Sequence, residues 1–112
     1  MDTIQYICDV RIISVKALKI FWEKEHQAEQ ALRSWYDEAE KANWKTPQEL
    51  KQQYLNASVL NEKRVIFNIH SNKYRLIVDI EYRLQILFVV WIGTHAEYNR
   101  IDAKKISYAK IN

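Results

Sequence analysis

The sequence predicts an α+β domain on three observations. Apolar residues recur with helical period through the first half and with strand period through the second, and only one Gly and one Pro interrupt either. A chain of 112 residues has the common size of one domain and buries about two-thirds of the surface its unfolded form exposes. One core is therefore expected, with no linker, repeat or low-complexity segment.

Taken in order, Val10 to Ser14 reads as a short β-branched strand, and Leu18, Phe21 and Trp22 then recur at helical spacing in a first short helix. Ala28, Ala31, Leu32, Trp35, Ala39 and Ala42 mark one stripe of a longer amphipathic helix, with Glu29, Arg33, Asp37, Glu40 and Lys41 mostly off it. Thr46-Pro47-Gln48-Glu49 joins a cap residue, Pro at the first helical position and Glu three residues after the cap. A third helix should start there and end near Tyr54.

Beyond that point the period changes to two. Val65, Phe67 and Ile69 alternate with Arg64, Ile66, Asn68 and His70, and Tyr74, Leu76, Val78, Ile80 and Tyr82 alternate with Lys73, Arg75, Ile77, Asp79 and Glu81. Two half-exposed strands are expected. A tight turn at Ser71-Asn72 would set His70 opposite Lys73, Asn68 opposite Arg75, Ile66 opposite Ile77 and Arg64 opposite Asp79. Val65, Phe67 and Ile69 then meet Val78, Leu76 and Tyr74, whereas a one-residue slip would turn polar side chains into that face. Ile86 to Ile92 shows no alternation, so it reads as a strand covered on both faces at the centre of the sheet, ending at Gly93. Thr94-His95-Ala96-Glu97 repeats the capping-box pattern, predicting a short C-terminal helical turn.

Composition narrows the function classes. The longest apolar run is seven residues from Ile86, far short of the roughly 20 that cross a bilayer, and the N-terminus lacks the pattern of a secretory signal. A cytoplasmic protein with no membrane association is expected. Cys8 is the single cysteine, and the three histidines are scattered, so neither an internal disulfide nor a metal site is recognisable and no cofactor is expected. Residues 1–60 carry eight Lys and Arg against nine Asp and Glu, whereas residues 61–112 carry nine against five. That basic bias fits an anionic ligand at the C-terminal half, although a solvated surface would show the same asymmetry.

In that half Lys73, Arg75, His95 and Tyr98 gather at neighbouring strand ends. RNA brings its own nucleophile, the 2′-hydroxyl, so a protein that cleaves it must hold the backbone in line, stabilise charge on the phosphorane and move protons. Arg75 suits two phosphate oxygens at once, Lys73 adds charge, and His95 carries the side-chain type whose charge changes near neutral pH. Tyr98, three residues on and on the same side of the turn, could orient the 2′-hydroxyl or stack on a base, and amides at the start of the turn could hold a phosphate. Asn72, Asn68, His70 and Lys45 are the further RNA-binding candidates. Each has a structural rival: an outer-strand cation is usually just solvated, Tyr98 could be a core ring, and Trp22, Trp35 and Trp44 fit packing better than base stacking.

These segments resemble the HigB-type toxins of bacterial toxin-antitoxin pairs, within the RelE/ParE superfamily. The resemblance runs from about Val10 to Ile106, on Arg11-Ile12-Ile13-Ser14, Ala42-Asn43-Trp44-Lys45-Thr46-Pro47, Val65-Ile66-Phe67-Asn68-Ile69, Asn72-Lys73-Tyr74-Arg75-Leu76 and Gly93-Thr94-His95-Ala96-Glu97-Tyr98 with Ile101-Asp102. It implies an N-terminal strand and helices packed on a small antiparallel sheet, in a RelE/ParE-like fold. It further implies a metal-independent endonuclease cutting mRNA on the ribosome, and a partner antitoxin with a helix-turn-helix domain, HigA-like, through which alone the toxin would meet operator DNA. Carried over by residue, it favours Lys73, Arg75, His95 and Tyr98, and more weakly Asn72. The chain departs from the pattern at Ser71 where Gly is usual, at Asn99 where Asp is usual, and at Val90 where a basic residue is expected. Family members commonly begin at the position of Val10, so residues 1–9 are expected to be an extension, with one toxin domain over 10–112. The alternative reading is a non-catalytic toxin or RNA-binding module that blocks the ribosome or gyrase by occupancy.

Overall fold

The computed structural model describes residues 10–107, and the expected extension over residues 1–9 lies outside them. In chain order the elements are β1 (Arg11–Ile13), α1 (Lys16–Lys24), a 3₁₀ turn (His26–Ala28), α2 (Glu29–Glu40), α3 (Pro47–Gln53), β2 (Ser58–Val59), β3 (Arg64–Ile69), β4 (Tyr74–Glu81), β5 (Ile86–Thr94) and α4 (His95–Tyr98). The five strands form one sheet in the order β1-β5-β4-β3-β2, antiparallel except for the parallel β1–β5 pair. The class is the expected α+β, with α1, α2 and α3 on one face of a mostly antiparallel sheet and α4 at the end of β5.

The helices form for the local reasons their sequences suggest. The stripe on α2 buries Leu32, Trp35 and Ala39, flanked by Ala28 and Ala42, and Trp35 meets the Phe67 ring edge-on at 5.4 Å. At α3 the Thr46 hydroxyl accepts from the Glu49 amide at 3.3 Å, while Glu49 Oε1 accepts from the Lys45 amide at 3.0 Å, one residue before the usual capping-box partner. Trp44, which introduces that helix, is buried between Tyr54 and Phe67 and donates its indole N–H to Gln53 Oε1 at 2.9 Å.

The β3–β4 register is the one expected: Arg64 pairs Asp79, Ile66 pairs Ile77, Asn68 pairs Arg75 and Ile69 pairs Tyr74. The turn differs in detail. Positive φ falls at His70 and Ser71 rather than on Ser71 and Asn72, and the His70 carbonyl accepts from both Asn72 and Lys73 amides at 2.9 and 3.2 Å. Ser71, where a Gly would carry no steric penalty, takes the left-handed conformation itself.

Two expectations about the sheet need correction. The strands β3 and β4 are not half-exposed: Ile66 and Ile77 are buried on the face opposite the helices, in a second cluster with Val90. Leu60, Trp91, Tyr98, Ile101, Ala103 and Ile106 pack over it, so the chain after β5 folds back across the sheet. A period-two pattern records which residues share a face, and Ile66 and Ile77 on the presumed wet face are the residues that pattern cannot place. Nor is β5 central, since β4 is, and β5 runs through Gly93 to Thr94. Its missing alternation comes from a β-bulge. Val78 pairs Val89 and Ile77 pairs Trp91, leaving Val90 as the extra residue, so Val90 and Trp91 both face the second cluster while Leu87 and Val89 face the helices. Phe88, 37% exposed, is not covered.

The returning segment is held by Arg64, whose Nε and Nη2 grip Asp79 Oδ1 and Oδ2 at 2.7 and 2.8 Å. Its Nη1 donates to the carbonyls of Ala103 and Ile106 at 3.1 and 2.6 Å. The hydrogen bonds to Asp79 raise the guanidinium pKa against the opposing effect of burial. Arg64→Ala should cost about 3 kcal/mol, because it leaves Asp79 unpaired and frees the two carbonyls. Urea unfolding with amide exchange at residues 101–106 measures both effects, and a loss near zero would count against the clamp.

A second prediction concerns alkaline pH. The Tyr82 hydroxyl is buried without a hydrogen-bond partner among the described residues, and burial pushes its pKa up from 10.0 to about 12. Its folded pKa exceeds the unfolded one, so its contribution to stability is complete below pH 10 and is lost as pH rises towards 12. Tyr82→Phe should leave stability at neutral pH unchanged or higher by about 1 kcal/mol and reduce the alkaline loss, as measured by denaturant unfolding across that range.

Candidate functional site

The candidates meet at the end of the sheet formed by the 70–73 turn, the start of β4, the end of β5 and α4. Tyr74 pairs Thr94 and Arg75 pairs Gly93, and one step further the His95 amide donates to the Lys73 carbonyl at 2.9 Å. Residues 18 to 22 apart in sequence are thereby locked side by side. Tyr74 is the post beneath them: buried, edge-on to Phe21 at 5.5 Å, its hydroxyl donating to Glu25 Oε1 at 3.2 Å. Burial, then the hydrogen bond and charge of Glu25, raise its pKa.

On the sheet face opposite α1–α3 the Arg75 guanidinium lies over the ring of Tyr98 from α4, 5.5 Å from its centroid, and Arg75 Nη1 donates to the Asn72 carbonyl at 3.1 Å. Asn68 faces Arg75 across the β3–β4 pair and donates to the Asn56 carbonyl at 3.4 Å. Arg75, Tyr98, Asn72 and Asn68 therefore form one connected surface. His95 stands exposed at the start of α4, beside it.

Other candidates are placed elsewhere. Lys73 sends its Nζ to Gln27 Oε1 at 2.6 Å, towards the helical layer rather than towards Arg75. Because Lys73 belongs to the turn, the alternation that would set it beside Arg75 does not govern it. His70 stacks on Tyr74 with centroids 6.2 Å apart. Lys45 follows Trp44, whose carbonyl accepts from Gln85 in the β4–β5 turn at 2.7 Å, so it lies at the opposite end of β4 from the rest. Two amides expected to be free for a phosphate are also taken, His95 by Lys73 and Glu97 by the Thr94 hydroxyl at 3.1 Å.

Three contributors escaped the sequence reading. Gln27 lies 46 residues from Lys73 with no local pattern to link them. Trp91 and Gly93 are two apart on one strand, so they share a face. A Cβ on Gly93 would sit 2.3 and 2.6 Å from Trp91 ring carbons and 2.8 Å from Glu97 Oε1. The chain's single glycine is thus the seat for the indole and for the Glu97 carboxylate, which accepts from the Thr94 amide at 2.8 Å in a complete capping box. The lone Gly two residues after a Trp was the available signal. Among the described residues no group of three His, Cys, Asp or Glu is arranged to hold a metal, and no helix is long and apolar enough to cross a membrane.

Gly93→Ala is a direct check on this seat. In an unobstructed strand the change would stabilise by about 0.5–1 kcal/mol, but here the clash should reverse the sign and cost about 1–3 kcal/mol. Denaturant unfolding gives the sign, and faster exchange of the Glu97 amide would report the loosened cap.

Among known proteins, the family model HigB_toxin, described as the RelE-like toxic component of a toxin-antitoxin system, matches residues 28–101. No curated protein matches the chain.

Proposed function

The chain belongs to the HigB toxin family, the RelE-like toxic components of toxin-antitoxin systems, and on that premise we propose that it is a ribosome-dependent, metal-independent mRNA endonuclease. The observation that carries this reading is the Arg75 guanidinium laid on the Tyr98 ring beside the His95 turn, a cation, an aromatic hydroxyl and an imidazole at one sheet end. Arg75 binds two non-bridging oxygens of the scissile phosphate, and its place on Tyr98 and on the Asn72 carbonyl limits its motion before substrate arrives. The 2′-hydroxyl attacks the adjacent phosphorus, giving its proton to a base, and the 5′-oxygen leaves with a proton from an acid. The products are a cyclic phosphate and a free 5′-hydroxyl. His95 carries one of these proton transfers. Tyr98 positions the ribose or stacks on a base, and Asn72, Asn68 and His70 contact flanking nucleotides. Lys73 joins the phosphate by exchanging Gln27 for it, a swing its four-carbon stem allows. Lys45, at the far end of β4, would contact RNA only at a distance from the cut.

The family implies an antitoxin, and we propose a helix-turn-helix partner and action in the cytoplasm on translated messages. The single toxin domain would span residues 10–112. A second reading, inhibition by occupancy of the ribosome or gyrase, has one observation in its favour. Val90, where the family resemblance leads one to expect a basic residue, is buried at the bulge against Ile66 and Ile77 and cannot serve as a cation. Asn99, exposed after α4, supplies no carboxylate.

Induced expression followed by transcriptome-wide mapping of new 5′ ends separates the two. Codon-phased cuts within translated messages should appear for the wild type. His95→Ala should lower them by about a hundredfold to ten-thousandfold, with growth restored, and Arg75→Ala should act in the same direction. Growth arrest without cuts, or arrest that survives both substitutions, would establish occupancy instead.

A further inference from the structure

The outer edge of β5 is only partly covered. β1 pairs with Ile86, Leu87 and Phe88, and among the described residues no strand pairs with that edge from Val89 to Thr94. A groove of about 450 Å³ runs along it, between the C-terminal end of α1 and the chain after α4, lined by Phe21, Lys24, Trp91, Thr94 and Arg100 among others. That size lies within the range of small-molecule sites and is sufficient for one nucleotide.

We propose, resting on the RNA-cleaving reading above, that this groove is a nucleotide subsite: the base next to the scissile phosphate stacks on Trp91, and the following phosphate lies between Lys24 and Arg100. Three features of the groove argue for an RNA occupant. The first is continuity. Trp91 lies 6.4 Å from the Tyr98 ring, and Tyr98 carries Arg75 at 5.5 Å, so a strand with its scissile phosphate on Arg75 meets Trp91 at the next step. Thr94, in the wall of the groove, directly precedes His95.

The second is the disposition of charge. The groove holds two carboxylates and two cations, but the carboxylates are engaged within the fold: Glu25 accepts from the Tyr74 hydroxyl, and Glu97 accepts from the Thr94 amide. Lys24 and Arg100 are exposed and have no acidic partner within ion-pair distance among the described residues, so they are free to turn to a phosphate. The third is the chemistry of the wall. An aromatic platform flanked by cations binds single-stranded nucleic acid with little dependence on base identity, because every base presents a π-face. Trp91 is also rigidly seated, its ring filling the space left by Gly93.

Two measurements test this on the full-length chain. The first is 5′-end mapping with Trp91→Leu, which keeps an apolar side chain without the stacking face, and with Lys24→Ala combined with Arg100→Ala, both at exposed positions. Cutting should persist at the same phase with a rate lowered about tenfold in either variant, without a new base preference at the position flanking the cut. The second is affinity for a short single-stranded RNA, 2′-O-methylated so that it cannot be cleaved, measured by fluorescence anisotropy at several salt concentrations. Affinity should fall about tenfold in either variant, and loss of one phosphate contact should reduce the slope of log K against log salt by about 0.7 in the double variant.

Variants that fold, cut and bind as the wild type does would overturn the subsite and leave the nuclease reading standing. Absence of cuts from the wild type would remove the nuclease reading alone, because RNA affinity lost with Trp91, Lys24 and Arg100 would still support a nucleotide groove. Unchanged RNA affinity together with weakened binding of the antitoxin in the same variants would overturn the proposal and assign the edge to a protein segment.

Discussion

The structure depends on one polar clamp, the bidentate Arg64–Asp79 pair with its two further bonds to the carbonyls of Ala103 and Ile106. Ile66, Ile77 and Val90 present an apolar patch on the sheet face opposite α1–α3, and the segment after α4 covers it through Ile101, Ala103 and Ile106, beside Leu60, Trp91 and Tyr98. That segment has no strand or long helix of its own, so its backbone groups need external partners. Arg64 supplies them, and it can do so because Asp79 meets part of the cost of burying the guanidinium. Asn61 prepares the position by accepting from the Lys63 and Arg64 amides, fixing where β3 begins.

From this clamp the geometry of the site follows. With residues 101–106 held down, Tyr98 packs on the second cluster and presents its ring to Arg75, while the capping box orients α4 from the end of β5. The bulge at Val90 performs a matching task within the sheet. It adds one residue to the second face, so that Trp91 lands beside Tyr98 and Gly93 rather than in the helical core. A strand without the bulge would place Trp91 on the other face and leave the edge groove without its indole.

The site is accordingly divided between the two faces of the sheet. Arg75, Tyr98, Asn72 and Asn68 occupy one, and the Lys73 amine is held by Gln27 on the other. Under the proposed mechanism, the charge would be completed when a phosphate draws Lys73 from the neutral amide of Gln27. Membership of the HigB family supplies the toxin and its antitoxin, and the disposition of these side chains supplies the case for RNA chemistry at this end of the sheet.

The sequence by itself determined the helices, the caps of α3 and α4 and the pairing of β3 with β4, because each depends on a periodicity or a motif confined to neighbouring residues. Thr46 with Glu49, Thr94 with Glu97, and the alternation on either side of Ser71 are all local in this sense. It also set Asn68 opposite Arg75, since a correct register carries its side chains with it. What only the tertiary structure decided was anything requiring a second element to choose a face. Alternation puts Ile66 and Ile77 on one side of the sheet but is silent on what covers that side, so their burial under the returning segment is a tertiary fact. The unbroken apolar run of β5 concealed a bulge, because a bulge changes which way side chains point without changing their composition. Lys73 was set beside Arg75 by a period that lapses in a turn, and its partner Gln27 approaches only when helix and sheet pack, a contact over a sequence distance that no local pattern encodes.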